Sequence, residues 1–187
     1  MNSRWGVAAI VGGLAYPFLV YFGMTALPPA ALVLIALGLI ALRMAGFSGL
    51  AGRMVSLAII AVAVLALVFL LLVSPYLAVK IYPVAVSLGT ALLFLLSLRF
   101  PPTAIERIAR LTQPDLPPAG IAYTRKVTQV WIGFLIGNAF VSALTALWGS
   151  LELWTLWNGL LSYLAMGGLF VGELLVRRRV QRRISTP

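Results

Sequence analysis

The chain has 187 residues, of which 62% are hydrophobic and only 10% are charged. A soluble domain carries roughly 25% charged residues, so this composition excludes an ordinary soluble protein and indicates an integral membrane protein. Its 14 Lys and Arg residues outnumber its 4 Asp and Glu residues, and it contains no His and no Cys. Zinc sites of the usual kind, thiol nucleophiles, disulfides and Ser-His-Asp triads are thereby excluded. We identify no catalytic residue and expect no metal and no cofactor.

Six apolar segments are long enough, or nearly so, to cross the hydrocarbon core of a membrane, which takes about 20 helical residues. We place these spans at 5–23, 27–42, 54–73, 81–98, 127–148 and 154–176. Backbone polar groups in lipid must be paired within their own segment, and most of the segments are apolar on all sides, so helices are expected and barrel strands are not. The sequence therefore predicts an all-α, polytopic membrane protein with six transmembrane helices in a single domain. We expect the first span to be retained, because it exceeds the roughly 7–15 apolar residues of a signal peptide.

The basic residues are distributed very unevenly between the predicted connections. All of them except Lys80 fall at the N-terminus, in the second and fourth connections or in the C-terminal tail. The positive-inside rule therefore predicts that both termini lie in the cytoplasm. We expect a multi-pass protein of the bacterial inner (cytoplasmic) membrane, with Lys80 and Glu152 exposed to water on the outer side.

Tryptophans favour membrane interfaces, because an indole is apolar with one polar edge. The five tryptophans lie near predicted span ends, with Trp5 and Trp131 on the inner side and Trp148, Trp154 and Trp157 on the outer side. Their positions agree with the orientation that the basic residues predict.

The fourth connection, 99–126, is the largest polar segment, and we expect a cytosolic loop. Thr103 and Glu106 have the spacing of a capping box, and the following turns separate an apolar stripe from a charged one, so the sequence predicts a short interfacial helix between the fourth and fifth spans. The prolines from Pro114 to Pro118 favour an extended chain after it. A candidate surface for an anionic headgroup or a protein partner comprises Glu106, Arg107, Arg110, Asp115, Tyr123 and Arg125. Alternatively, the arginines only anchor the loop to anionic lipids, at about 1 kcal/mol each, and Glu106 is only a cap.

Polar residues inside the membrane are concentrated in the last two spans, where Asn138, Asn158, Tyr163 and Glu173 are the candidate site residues. A short turn between these spans makes them antiparallel neighbours, with Asn138 facing Tyr163 and Asn158 level with Ser142. We predict a hydrogen bond from Asn138 to Tyr163 that sets the register of the two helices. The alternative is that these side chains line a solute pathway.

The tail at 177–187 is basic and contains Arg177, Arg178, Arg179, Arg182 and Arg183. Glu173 lies four residues before Arg177, so we expect an ion pair at the headgroups and no proton relay. We interpret the tail as a stop-transfer signal that binds anionic lipids of the bilayer, and the alternative is a dock for an acidic cytosolic partner. Nucleic-acid binding is not expected, because the basic residues are spread along a membrane face.

Several short motifs in the second half carry a resemblance: ERIARL at 106–111, PDLPP at 114–118, YTRKVTQVW at 123–131, WNG at 157–159, Asn138 and the run from Gly172 into the arginines. With these motifs, the chain resembles a family of uncharacterised bacterial inner-membrane proteins encoded near aryl polyene biosynthesis genes. The resemblance implies a role in envelope lipid or polyene metabolism, with an acidic acyl carrier protein as a possible partner. The C-terminal half is also similar to the intracellular septation protein A family. Neither likeness implies a catalytic residue.

These observations predict a non-catalytic accessory or scaffold protein of the inner membrane that presents a basic cytosolic surface. Two alternatives remain open. A transporter or flippase of a lipid-like amphiphile would need a continuous polar cavity past Asn138, Asn158 and Tyr163. A membrane enzyme acting on a phosphorylated or acyl substrate would need the charged residues of the loop to converge in one cleft.

Overall fold

The computed structural model describes residues 3–46 and 53–185, with side chains described for 11–42, 55 and 57–178. Within this part of the chain every regular element is helical, so the predicted all-α class is confirmed. The elements in chain order are α1 (Ser3–Gly23), α2 (Pro29–Gly46), α3 (Arg53–Val73), α4 (Pro75–Lys80), α5 (Tyr82–Arg99), α6 (Ala104–Arg110), α7 (Pro118–Trp148), α8 (Leu151–Leu156), a π-helical turn (Trp157–Leu161) and α9 (Ser162–Ser185).

Three helical segments of the described chain are long and apolar enough to cross a membrane. They are Tyr82–Arg99, Pro118–Trp148 and Leu151–Arg178, and the last comprises α8, the π-helical turn and the first part of α9. The apolar parts of α1, α2 and α3 are shorter, at Val11–Gly23, Pro29–Leu42 and Leu57–Val73. Large apolar side chains on α3, such as Leu65 and Leu72, are 70% and 81% exposed. These features suggest a membrane protein, because contact of such large apolar faces with water is unfavourable and contact with lipid is not.

Two helix boundaries and one additional helix differ from the sequence prediction. Helix α7 begins at Pro118 and not at residue 127, because proline is well suited to the first helical turn, where its missing N–H would have no partner. The end of the predicted 99–126 loop is therefore helical. Helix α9 continues past residue 176 to Ser185, so most of the basic tail is helical as well. The short helix α4 was not predicted.

The bundle has two ends that differ in charge. At one end, α6 and the beginning of α7 meet the end of α5 and the later turns of α9, and we call this the basic end because the described Arg99, Arg107, Arg110, Arg125, Arg177 and Arg178 lie there. At the opposite end, Lys80 contacts Gly149 and Trp154. Helix α5 joins the two ends and packs most extensively against α7.

Two residues at the opposite end do not lie where the sequence analysis placed them. Lys80, expected in water, is 1% exposed, and its Nζ donates to the Gly149 carbonyl at 3.2 Å and lies 4.9 Å from the centre of the Tyr76 ring. Burial lowers the pKa of Lys80 below its ordinary value of 10.5. Trp154, expected at the interface, is fully buried, and its indole N–H donates to the Lys80 carbonyl at 3.0 Å. Both polar groups donate to backbone carbonyls at or next to helix ends, where the helix itself supplies no donor. Glu152 is exposed, as predicted.

Candidate functional site

Helix α6 is held firmly at the basic end by the capping box that the sequence predicted. Thr103 Oγ1 accepts from the Glu106 N–H at 3.4 Å, and Glu106 Oε2 accepts from the Thr103 N–H at 3.2 Å. Glu106 is 4% exposed, and its Oε1 also accepts from Arg110 Nε at 3.0 Å and Nη2 at 2.8 Å. The Ala104 N–H donates to Ser97 Oγ at 2.9 Å, which attaches the start of α6 to α5. This short helix is therefore a fixed wall of the basic end.

The arginines on α6 and in the first turns of α7 make separate hydrogen bonds to the main chain. Each guanidinium donates to a different carbonyl: Arg107 to Pro102 at 3.0 Å, Arg110 to Pro114 at 2.9 Å and Arg125 to Leu98 at 3.0 Å. Asp115 is exposed. The three arginines therefore brace the main chain at the basic end.

A cavity of about 740 Å³ lies at the basic end between α6, α7 and α9. This volume is within the 300–1,000 Å³ typical of small-molecule sites. Helix α9 continues directly from the π-helical turn and contacts α7 only slightly, which leaves the space open. We call it the basic-end cavity. Its walls are mainly apolar and include Ile105, Ile108, Val127, Trp131, Phe170 and Leu174.

Six side chains with hydrogen-bonding groups or charge line the basic-end cavity: Thr112, Gln113, Tyr123, Thr124, Glu173 and Arg177. The two threonine hydroxyls donate to main-chain carbonyls of their own helical turns. The Tyr123 hydroxyl lies 3.4 Å from Glu173 Oε1. The predicted ion pair between Glu173 and Arg177 is wrong, because these two described side chains do not approach within the 4.0 Å of an ion pair. The carboxylate meets the tyrosine of α7 across the helix interface, and Arg177 lines the cavity.

Sequence reasoning named Tyr123, Glu173 and Arg177 but assigned them to separate sites. The antiparallel register predicted for the last two spans already indicates that these three residues lie at a similar depth. The register that places Asn138 opposite Tyr163 also places Tyr123 level with Arg178, about one turn from Glu173. Arg178 itself is exposed and does not line the cavity. The side chains of Arg179, Arg182 and Arg183 lie outside the described residues.

The polar side chains in the middle of the bundle form a second group. Ser142 Oγ donates to Asn158 Oδ1 at 2.7 Å, so these residues are level as predicted. The predicted bond from Asn138 to Tyr163 is wrong, because Asn138 Nδ2 donates to Ser87 Oγ on α5 at 3.0 Å. The reason is that α7 packs against α5 far more extensively than against α9. Asn158 lies in the π-helical turn, a feature that often marks functional positions.

A small pocket of about 50 Å³ adjoins this group and is lined by Asn138, Asn158 and Tyr163, among others. It shares no lining residue with the basic-end cavity. The hydrogen bonds of Asn138 and Asn158 fix the register of α5, α7 and the π-helical turn.

Comparison with known proteins gives no relative from which a function could be inferred: no family model matches the chain, and no curated protein or solved structure is similar to it.

Proposed function

We propose that this protein is a non-catalytic accessory protein of the bacterial inner membrane that holds a lipid-like amphiphile at the cytoplasmic leaflet. The observation that supports this proposal is the basic-end cavity, whose apolar walls meet a few polar side chains. An amphiphile fits these two kinds of surface. Its apolar chain is stabilised by burial against Ile108 and Phe170, and its polar head reaches Tyr123 and Arg177. Each buried methylene contributes about 0.8 kcal/mol.

The proposal includes six spans with both termini in the cytoplasm. The basic end then faces the inner leaflet, whose anionic lipids attract the guanidinium groups of Arg178 and its neighbours. At the opposite end Lys80 is buried, so this cation does not oppose that orientation. A fluorescent protein fused after Pro187 should fluoresce, whereas an alkaline phosphatase fused there should be inactive. The opposite result would contradict the orientation.

Geometry at the basic end favours the accessory role over the two alternatives. An enzyme at the loop would need polar groups free to reach a substrate, but Arg107, Arg110 and Arg125 each donate to a main-chain carbonyl. A transporter would need continuity between the two cavities, but they share no lining residue. The resemblance to proteins encoded near aryl polyene genes agrees with an elongated, lipid-like ligand in envelope lipid or polyene metabolism.

We propose that the basic end also binds an acidic cytosolic partner, such as an acyl carrier protein that delivers a chain to the cavity. Exposed Arg178 lies beside Arg177, at the edge of the cavity, so a partner bound there would be close to the site. Pulldown with purified acyl carrier protein should fall several-fold when Arg178, Arg182 and Arg183 are changed to Gln. Equal recovery by the variant would exclude docking through the tail.

Trp131 provides a direct test of the cavity, because this indole lines it. Chain-brominated amphiphiles quench tryptophan on contact, so titrating one into nanodiscs should give saturable quenching that is lost in Trp131→Phe. Trp148 is 77% exposed at the opposite end and reports simple partitioning into the bilayer. Its variant Trp148→Phe should keep the saturable component. Quenching in Trp131→Phe equal to that of the wild type would contradict the proposed site.

A further inference from the structure

We infer that the basic-end cavity binds a long-chain amphiphile with an anionic head, and that Arg177 holds the head. This inference rests on the proposed function and adds the chemical class of its ligand. Three observations carry it: the availability of the Arg177 guanidinium, the volume of the cavity, and the charge of the surrounding end of the bundle.

Arg177 differs from Arg107 and Arg110 on α6 and from Arg125 on α7 in how its guanidinium is used. Those three donate to backbone carbonyls or to Glu106 and stabilise the basic end. Arg177 is half-buried along the cavity wall, and the nearest acid in sequence, Glu173, faces the Tyr123 hydroxyl and lies beyond ion-pair distance. A guanidinium in that position can donate two parallel hydrogen bonds to a carboxylate or phosphate.

The volume of the cavity is sufficient for one long chain. At about 740 Å³, the cavity lies within the 300–1,000 Å³ range of small-molecule sites. A long acyl or polyene chain with a compact head is an elongated apolar ligand that suits such a site. The chain would lie against the apolar wall formed by Ile105, Ile108 and Phe170.

The charge around the cavity favours an anion over a zwitterion. Glu173 also lines the cavity and would be the partner for an ammonium group, but its Oε1 is already close to the Tyr123 hydroxyl. Arg107, Arg110 and Arg125 also lie at the basic end and contribute a positive field that attracts anions. A fatty-acid-like carboxylate or a long-chain phosphate fits this combination.

The test measures Trp131 quenching by three probes that share one brominated chain: a fatty acid at mildly alkaline pH, its uncharged methyl ester, and a zwitterionic lysophosphatidylethanolamine. We expect the acid to bind about tenfold more tightly than the ester, the ratio that one charge-assisted hydrogen-bond pair gives. Arg177→Gln should reduce this ratio to near one while the ester still binds, which shows that the cavity has folded. Arg178→Gln is the matched control and should keep the tenfold ratio of affinities. Arg177→Lys keeps the positive charge and should give a ratio between one and ten.

Each other result has a distinct meaning. If acid and ester bind equally to the wild type, or Arg178→Gln lowers the ratio as much as Arg177→Gln does, the anionic head at Arg177 is wrong and the amphiphile site stands. If the lysophosphatidylethanolamine binds as tightly as the acid, Arg177 and Glu173 recognise a zwitterion, which also overturns the inference. If no probe gives saturable quenching of Trp131, the proposed function fails together with the inference.

Discussion

Replacing Glu106 with Ala should release α6 from the wall of the basic-end cavity. The buried carboxylate accepts hydrogen bonds from the Thr103 N–H and from two nitrogens of Arg110. Losing half of a capping box costs about 1 kcal/mol. The Arg110 side chain is 39% exposed, so its ion pair adds only about 0.5 kcal/mol. We therefore expect α6 to be destabilised by about 1.5 kcal/mol relative to the wild type, taking the two contributions as additive.

Hydrogen exchange of the α6 amides measures this local change, because a short helix can open without global unfolding. A loss of 1.5 kcal/mol should accelerate exchange of the 104–110 amides by roughly tenfold. The core of α7 should exchange as in the wild type. Asp115→Ala, an exposed acid on the same connection, is the matched control and should leave α6 unchanged. Unchanged exchange in Glu106→Ala would refute the idea that this carboxylate holds the wall in place.

Three further predictions concern the opposite end and the middle of the bundle. Burial lowers the pKa of Lys80, so between that lowered pKa and 10.5 the unfolded chain binds more protons than the folded protein. The thermal stability of the wild type should therefore rise with pH in this window, and that of Lys80→Met should not. The same dependence of melting temperature on pH in both proteins would contradict this. Trp154→Phe removes a buried hydrogen bond and part of the core and should lower the free energy of unfolding by about 2 kcal/mol. Trp148 is 77% exposed, so Trp148→Phe should lower it by less than about 0.5 kcal/mol. Equal losses in the two variants would refute the burial of Trp154. Asn158→Leu removes the acceptor of the Ser142 hydrogen bond and should lower the free energy of unfolding by about 0.6–2 kcal/mol. An unchanged free energy of unfolding would show that Asn158 does not set the helix register.

The helical class and the capping box could be predicted because each depends on local chemistry. Thr103 and Glu106 satisfy each other within one turn, so their spacing alone was sufficient. The start of α7 was placed too late because Pro118 was taken as a helix breaker, although proline is favourable in a first turn. The same residue type thus has opposite meanings inside a helix and at its start.

Lys80 and Trp154 could not be placed from sequence because their environment depends on tertiary packing. Interface statistics favour exposure for a lysine and an interfacial position for a tryptophan. Here the residue after α7, Gly149, presents its carbonyl to the Lys80 side chain, and the indole N–H of Trp154 donates to the Lys80 main-chain carbonyl. Contacts between residues so distant in sequence are not encoded in any local pattern.

The basic-end cavity was missed for a related reason. Its apolar wall was visible in part, as the stripe containing Ile105 and Ile108 on the predicted interfacial helix. The remaining wall is formed by residues of α7 and α9, and it depends on how these two helices pack against α6. The sequence identified Tyr123, Glu173 and Arg177, but only the packing of three helices shows that they share one site.

Photo-crosslinking with a diazirine-labelled fatty acid, followed by mapping of the labelled peptides, tests the central claim most directly. We expect saturable labelling in the segments around Trp131 and Phe170 that face the basic-end cavity. Helix α3 exposes Leu65 and Leu72 and is the internal control, since ordinary bilayer contact should label it without saturation. Labelling that is confined to exposed faces such as α3, with none on the cavity segments, would contradict the account.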